Sequence, residues 1–563
     1  MYLTMDTMRN NIDIERYVFR GVAFAVIAAV FYARLRYLNV PFERDEGEYA
    51  YGGWLLLQGI LPYEQMYTVK LPGIHVIYAL IMGVFGETVG GVRLGLLFVS
   101  AVSTALVFLL ARRLRGEMAG LVAAAVFAVL SMGHMFLGFT ANAEHFVLPF
   151  VLGGLILILI AAEKEKRLYF FLGGLLLGVG YIVKQHALFF ILFAAACLLW
   201  RFYAARGDKA VMTKRFGDGV YCALGAVLPF VAVCLVYVAA GTFDKFWFWT
   251  FDYARSYVSM VPLSRGASML AVIVKMAASF YPFVFLLFVI GLVAPLWDKS
   301  VRAIYPYAAL FFLFSFFSVC PGLYFRSHYF LLLVPAVAIL CAIGLAALEG
   351  VFSGAKKKMV SVFVAVLVFG QLFYSGWNYL FVWPPELLPS GIYQGQPYAE
   401  AVVFAEQIKK NTANDDTVAI LGSEPQILFY SGRKSATSYV YMYPLTERHK
   451  YADAMQREVT EQIEGKKPGF LVLAWTRFGW YNGQDNGIRN IFDWSGDYIG
   501  KNYSMEGFVR LDNMHRYYWG DGVKGVPRDK NGIPDGEKWM ALFKRKDAAW
   551  VKAPLVTTGK EAR

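Results

Sequence analysis

The chain has 563 residues, of which 58% are hydrophobic and 17% charged, with a mean hydropathy of +0.47. That excludes a soluble enzyme of this length, because the apolar residues come in runs long enough to span a bilayer. The formal charge of +13 does not point to nucleic acid, because Lys and Arg fall in short clusters between apolar runs rather than along one face.

Arg9, Arg16 and Arg20 precede the first apolar run, and no small-residue cleavage site follows. It reads as a retained first helix, not a removed signal peptide. Spans are predicted at about 19–37, 92–111, 119–134, 146–162, 168–184, 186–201, 219–240, 269–296, 303–320, 329–349 and 359–381, about eleven in all. Alternate connections carry the basic residues: Arg112, Arg113 and Arg115; Lys164, Lys166 and Arg167; Arg201 to Arg215; Lys299 and Arg302; Lys356, Lys357 and Lys358. The positive-inside rule puts these and the N-terminus in the cytoplasm of a multi-pass plasma-membrane protein. Residues 38–91, 135–145, 241–268, the short loop near Arg326 and everything after about 382 then lie outside.

The apolar run 74–85 is too short to cross unaided, and counting it as a span would put ARRLRG and KKK outside. It is expected as a re-entrant or interfacial helix within the first external loop, about 38–91. The run 48–58 (EYAYGGWLLLQ), with Tyr and Trp among aliphatic residues, is likewise expected as an interfacial helix.

After Trp383-Pro384-Pro385 the apolar runs shorten and glycines separate them. VAILG (418–422) and GFLVLAW (469–475) read as buried strands, the first followed by a short helix in SEPQILFYSG. Helical patterns at about 398–410 and 446–464 alternate with them. The expected organisation is a polytopic α-helical membrane module over 1–382 and an extracytoplasmic α/β domain over 383–563. Cys197, Cys222, Cys234, Cys320 and Cys341 lie in or beside apolar runs and show no metal-ligand spacing.

The chemistry concentrates in the first external loop, where Glu43, Arg44, Asp45, Glu46 and Glu48 gather just past the first span. A carboxylate pair beside the bilayer is costly unless it faces water or a substrate, so it marks a functional site; the plainer reading is a set of solvated loop charges. Such a carboxylate can deprotonate an acceptor hydroxyl, and Lys70, before Pro72-Gly73, can neutralise a phosphate leaving group. Alternatively Lys70 snorkels at the interface.

The run DEGEYAYGGWLLLQGILPYE, with KLPGIHVIYAL, GVRL and ARRL after it, closely resembles the N-terminal third of the GT-C-type membrane glycosyltransferases, the group that contains protein O-mannosyltransferases and the lipid A aminoarabinose transferase. FTANAEHFVLPF, KQHALFF and FRSHYFLLLVPA extend the resemblance more weakly over roughly the first 350 residues. It implies a catalytic acid in the first external loop, which falls on Asp45 with Glu46 beside it, and a polyprenyl-phosphate sugar donor whose phosphate Lys70 contacts. It also implies a second acidic or polar residue for sugar or a divalent cation, best matched by Glu144, for which a helix-end cap is the alternative. Basic and aromatic residues before LLLVPA fall on Arg326, His328 and Tyr329, with the Arg326 guanidinium suited to phosphate.

Two further groups are expected near the same cavity: Lys184-Gln185-His186 at a tight external turn, and Arg255 in the aromatic loop WFWTFDYARSY. Aromatic residues there could stack on sugar or form an interfacial belt. Five of seven histidines, His75, His134, His145, His186 and His328, fall near predicted outer ends, without zinc-ligand spacing.

The leading expectation is therefore an inverting transfer of one sugar from a polyprenyl-phosphate donor to a lipid, glycan or protein acceptor on the extracytoplasmic face. A transporter or flippase of lipid-linked sugar would instead place ionisable groups near mid-span in two repeated halves. A non-catalytic envelope protein that binds glycan is a third reading.

Overall fold

The computed structural model describes residues 20–385, 388, 396–480, 490–511, 516–528, 534 and 538–547; Arg9 and Arg16 lie outside them. A chain in lipid must satisfy its backbone N–H and C=O groups internally, so the long apolar runs become helices. The first covers 20–36. Among the described residues seven helices are long and apolar enough to cross a membrane: Val89–Arg115, Ala143–Lys164, Gln185–Tyr203, Lys209–Ala239, Leu263–Phe280, Val334–Val351 and Val362–Val382. Shorter apolar helices, Gly73–Phe85, Glu117–Met132, Arg167–Val183, Pro282–Leu296 and Tyr305–Val319, pack among them. The molecule is a multi-pass helical membrane protein.

Lipid gives helices no hydrophobic reason to associate, so close packing of small residues does that work. A Cβ added at Gly344 would stand 2.9 Å from the backbone nitrogen of Gly291, so Val334–Val351 and Pro282–Val293 meet almost backbone to backbone.

The span predicted at 269–296 is not one helix. The run 269–296 breaks into Leu263–Phe280 and Pro282–Val293, with Tyr281 out of helical geometry at φ −132°, ψ 52°. The ring of Pro282 drives its predecessor away from the α region. Gly266 lies against Leu323, and the Phe280 ring is 4.9 Å from His134. Leu323 and His134 stand in connections at the end of the bundle that also holds Asp45. At the opposite end, Asp298 pairs with Arg115 at 3.1 Å. Pro282–Val293 therefore runs between the two ends, while Leu263–Phe280 has both of its own ends at one of them.

The stretch after the first helix folds into two helices, Arg44–Leu57 and Gly73–Phe85, packed together. Beyond residue 396 the chain builds one six-stranded sheet from β1 (Thr417–Leu421), β2 (Lys434–Ser435), β3 (Phe470–Trp475), β4 (Tyr503–Arg510), β5 (Tyr517–Trp519) and β6 (Trp539–Arg545), in the order β2-β1-β3-β6-β4-β5. β1 pairs in parallel with β2 and β3, Ile420 opposite Val472, whereas β6 is antiparallel to β3 and β4. Helices Tyr398–Lys410, Gln426–Ser431, Ala452–Lys466 and Asn490–Asn502 accompany the sheet. The first buries Ala401, Phe404, Ala405 and Ile408, the spacing of a helix stripe against a core. Tyr443–Leu445 is a single 3₁₀ turn, so the helix expected from 446 starts only at Ala452.

Candidate functional site

Helix Arg44–Leu57 begins with a reciprocal cap: Glu43 accepts from the Glu46 amide at 3.3 Å, and Glu46 accepts from the Glu43 amide at 3.1 Å. This sets the acids in the first turn, where the helix dipole favours negative charge. The helical repeat then separates them. Asp45 and Glu48, three apart, share one face, and Glu46 turns to another.

Glu46 is completely buried. Its carboxylate receives both arms of the Arg93 guanidinium, Nη2 at 2.9 Å, and the Ala141 amide at 2.5 Å. It ties the first loop to Val89–Arg115 and to the connection before Ala143–Lys164, and it does not face the cavity. Sequence adjacency made Asp45 and Glu46 look like a pair; their environments are separate.

Lys70 bridges the other two acids. Its Nζ donates to Asp45 Oδ1 at 2.8 Å and to Glu48, and stands 4.5 Å from the Tyr49 ring centre. Glu48 also accepts from Thr68 Oγ1 at 2.5 Å. Burial raises the Asp45 carboxyl, but the Lys70 ammonium, with His328 and Arg326 beyond it, outweighs burial and holds the group well below the usual carboxylate range. Burial likewise works to lower Lys70, and the two carboxylates more than offset it.

Asp45 opens onto a cavity of about 360 Å³, lined also by Lys70, Lys184, Arg255, Arg326 and His328. The volume suits a sugar and a phosphate. The walls come from distant parts of the chain. Lys184 and His186 sit between Arg167–Val183 and Leu188–Tyr203, and His186 Nδ1 lies 2.7 Å from the Ser318 carbonyl. Arg255 follows a π-helical turn, Phe248–Tyr253, a distortion common at functional sites. Arg326 Nη2 donates to the Tyr257 hydroxyl at 3.1 Å, and Tyr257 stacks on Tyr324 with centres 5.1 Å apart.

His328 Nε2 stands 4.0 Å from Asp45 Oδ2 and 4.0 Å from Glu144 Oε1. Burial pushes the imidazole down to about 4, so it is neutral at physiological pH. Glu144, at the start of Ala143–Lys164, is fully buried and bonded to Lys184. It stands just behind the cavity wall. Among the described residues no group of three or more His, Cys, Asp or Glu could hold a metal ion. Each carboxylate here is paired with an ammonium: Asp45 and Glu48 share Lys70, and Glu144 has Lys184.

The cavity thus gathers Asp45, Lys70, Arg255, Arg326 and His328, with Glu144 one contact behind and Glu46 turned away. No role was expected for Glu48, Tyr441 or Tyr443, and Tyr257 was expected only as one of the aromatic residues of its loop. The i, i+3 spacing of Asp45 and Glu48 was the available signal for the first.

The beginning of the C-terminal sheet region clamps the same helix from the other side. Arg44 pairs with Glu424 at 2.6 Å and donates to Gln396 at 3.0 Å. The Ser435 amide donates to the Tyr51 hydroxyl at 2.9 Å, and the Phe42 amide to the Tyr430 hydroxyl at 2.7 Å. Gly47 allows the contact: a Cβ there would meet Gln426 at 2.6 Å. Tyr441 donates to Asp45 Oδ1 at 2.9 Å, and Tyr443 lines the cavity.

Comparison with known proteins agrees with the resemblance read from the sequence. The family model for dolichyl-phosphate-mannose-protein mannosyltransferase matches residues 70–241, a stretch that includes Lys70, Glu144 and Lys184. The fold is that of GT-C glycosyltransferases of known structure. ArnT from Cupriavidus metallidurans bound to undecaprenyl phosphate aligns with a TM-score of 0.56 and 13% identity, over 93% of this chain and 97% of that one. The archaeal oligosaccharyltransferase AglB from Archaeoglobus fulgidus, in complex with an inhibitory peptide and a dolichol-phosphate, aligns with a TM-score of 0.52 and 12% identity, over 90% of this chain and 75% of that one. No curated protein sequence matches.

Proposed function

We propose that this chain is a membrane glycosyltransferase that moves one sugar from a polyprenyl-phosphate donor to an acceptor hydroxyl at the outer face of the membrane, with inversion at the anomeric carbon. One observation carries the reading: Asp45, kept ionised, presents a carboxylate edge to a sugar-sized cavity whose other charged walls are Lys70, Lys184, Arg255 and Arg326. A single carboxylate among cations suits a reaction that needs one base and releases an anion.

In the step proposed, the acceptor oxygen attacks the anomeric carbon while the bond from that carbon to the phosphate oxygen breaks. The electron pair of that bond leaves on the polyprenyl phosphate, toward Lys70, Arg255 and Arg326. The hydroxyl proton passes to Asp45 Oδ2, the oxygen that Lys70 and Tyr441 do not occupy. A carboxylate with so low a pKa is a weak base. It suffices if the sugar develops oxocarbenium character first, because the attacking hydroxyl becomes strongly acidic as it bonds to carbon. Lys70 links the two halves of the event, touching the base and facing the space for the phosphate.

The neighbours' lipids support the donor class: the solved ArnT holds undecaprenyl phosphate and the solved AglB a dolichol-phosphate. The test presents the purified full chain with tritiated sugars on undecaprenyl phosphate, one sugar at a time, together with membranes that supply acceptors. Transfer of at least one sugar to a non-donor product is expected. Lipid movement across proteoliposomes without any new glycosidic bond would favour a flippase instead.

A further inference from the structure

The C-terminal region touches the reacting edge of the cavity itself. Tyr441 reaches Asp45 Oδ1 at 2.9 Å from a residue 396 positions away in the chain. The same oxygen takes Lys70 Nζ at 2.8 Å. Two donors on Oδ1 fix the carboxylate plane and leave Oδ2 toward the cavity and His328.

Tyr441 is itself held on both sides. Its ring is 5.0 Å from that of Tyr443, and the Lys70 ammonium stands 5.3 Å from its centre. Just before it, the Tyr67 amide donates to the Ser438 carbonyl at 2.7 Å, joining this segment to the strand-like stretch that leads into Lys70. Just after it, Met442 donates its amide to Ser423 Oγ at 2.9 Å, and Glu447 accepts from the Tyr253 hydroxyl at 2.8 Å. Residues 436–447 are thus pinned to three separate pieces of the membrane module and to β1's following turn. Tyr441 and Tyr443, two apart, both meet the site.

We propose that the C-terminal domain completes the active site, with Tyr441 as a positioning residue that orients the Asp45 carboxylate for the transfer proposed above. This rests on that reading for the reaction, while the contact itself does not. The hydroxyl has a second effect: as a charge-assisted donor it stabilises the ionised carboxylate, so the base stays available but unable to swing onto the phosphate site. Truncating the domain would then impair the chemistry itself.

Tyr441→Phe keeps the ring and removes only the hydroxyl. In the full-length protein labelled with [4-¹³C]aspartate, the Asp45 carboxylate stretch is the infrared band that Asp45→Asn abolishes. Tyr441→Phe is expected to move that band and Tyr443→Phe to leave it in place. With a donor found to be transferred by the wild type, Tyr441→Phe is expected to lower kcat by about tenfold or more at unchanged donor KM, the pattern of an interaction lost from the reacting geometry. A purely packing role predicts an unmoved band and wild-type kcat, and either result overturns the proposal. A band moved by Tyr441→Phe, together with a wild type that transfers no sugar from any donor, would overturn the glycosyltransferase reading instead. Tyr441→Leu checks folding: loss of thermal stability there but not in Tyr441→Phe separates ring packing from the hydroxyl.

Discussion

Lys70 Nζ and Asp45 Oδ1 lie 2.8 Å apart in the wall of the cavity, a carboxylate from the first turn of helix Arg44–Leu57 and an ammonium from the connection just before helix Gly73–Phe85. The pair joins the proposed base to the proposed phosphate site. It also sets the protonation state on which the chemistry depends.

Removing the ammonium should show in the pH dependence. Asp45 acts only when ionised, which holds above its folded pKa, and Lys70 depresses that pKa. The acid limb of kcat in the wild type should therefore lie below the ordinary aspartate value of about 4. Lys70→Met should move the limb to higher pH and weaken binding of undecaprenyl phosphate. An unmoved limb would show that Lys70 does not govern the titrating group.

The Arg326 guanidinium bears mainly on the leaving group, with Lys70 the nearer cation to Asp45. Arg326→Ala should weaken undecaprenyl phosphate binding by roughly tenfold or more, as expected for a lost charge-assisted contact. Arg326→Lys should recover only part, since an ammonium cannot reproduce the planar fork. Equal affinity in all three proteins, measured in detergent, would remove Arg326 from the phosphate site.

Glu46 should behave as a structural residue. Breaking its buried contact with Arg93 through Glu46→Ala leaves an uncompensated guanidinium, a cost of about 3–5 kcal/mol. Thermal stability should drop sharply, and Glu46→Gln, which keeps acceptor and shape, should drop less. Normal stability with abolished transfer in Glu46→Gln would instead give it a direct chemical role.

How far this could be read from the chain depends on distance in sequence. Asp45, Lys70 and Arg326 stand out because charged side chains beside apolar runs are costly without a purpose, and that signal is local. The separate settings of Asp45 and Glu46 were not legible, since Glu46's partner, Arg93, is 47 residues away. Tyr441 was hidden more deeply: a tyrosine in SYVYMYPL gives no sign of a carboxylate 396 positions earlier. β1 and β3 are buried apolar runs and were readable. β4 and β5 were not, because their residues are only partly buried and show no clean alternation. The break at Tyr281 was signalled by Pro282, and an apolar run on both sides masked it.

The basic loops predict which side of the membrane the cavity faces. In a background without the native cysteines, Glu461→Cys, exposed in the C-terminal domain, should react with an impermeant thiol reagent in intact cells, and Lys357→Cys should not. The reverse pattern would place the cavity on the cytoplasmic side.

Asp45 is proposed to take the acceptor proton in a single displacement. Asp45→Asn removes the proton acceptor and nearly preserves shape, so transfer from the labelled polyprenyl-phosphate donor should fall by about a hundredfold or more while undecaprenyl phosphate still binds. The wild-type product should carry the inverted anomeric configuration. Wild-type turnover by Asp45→Asn, or a product of retained configuration, would contradict the account.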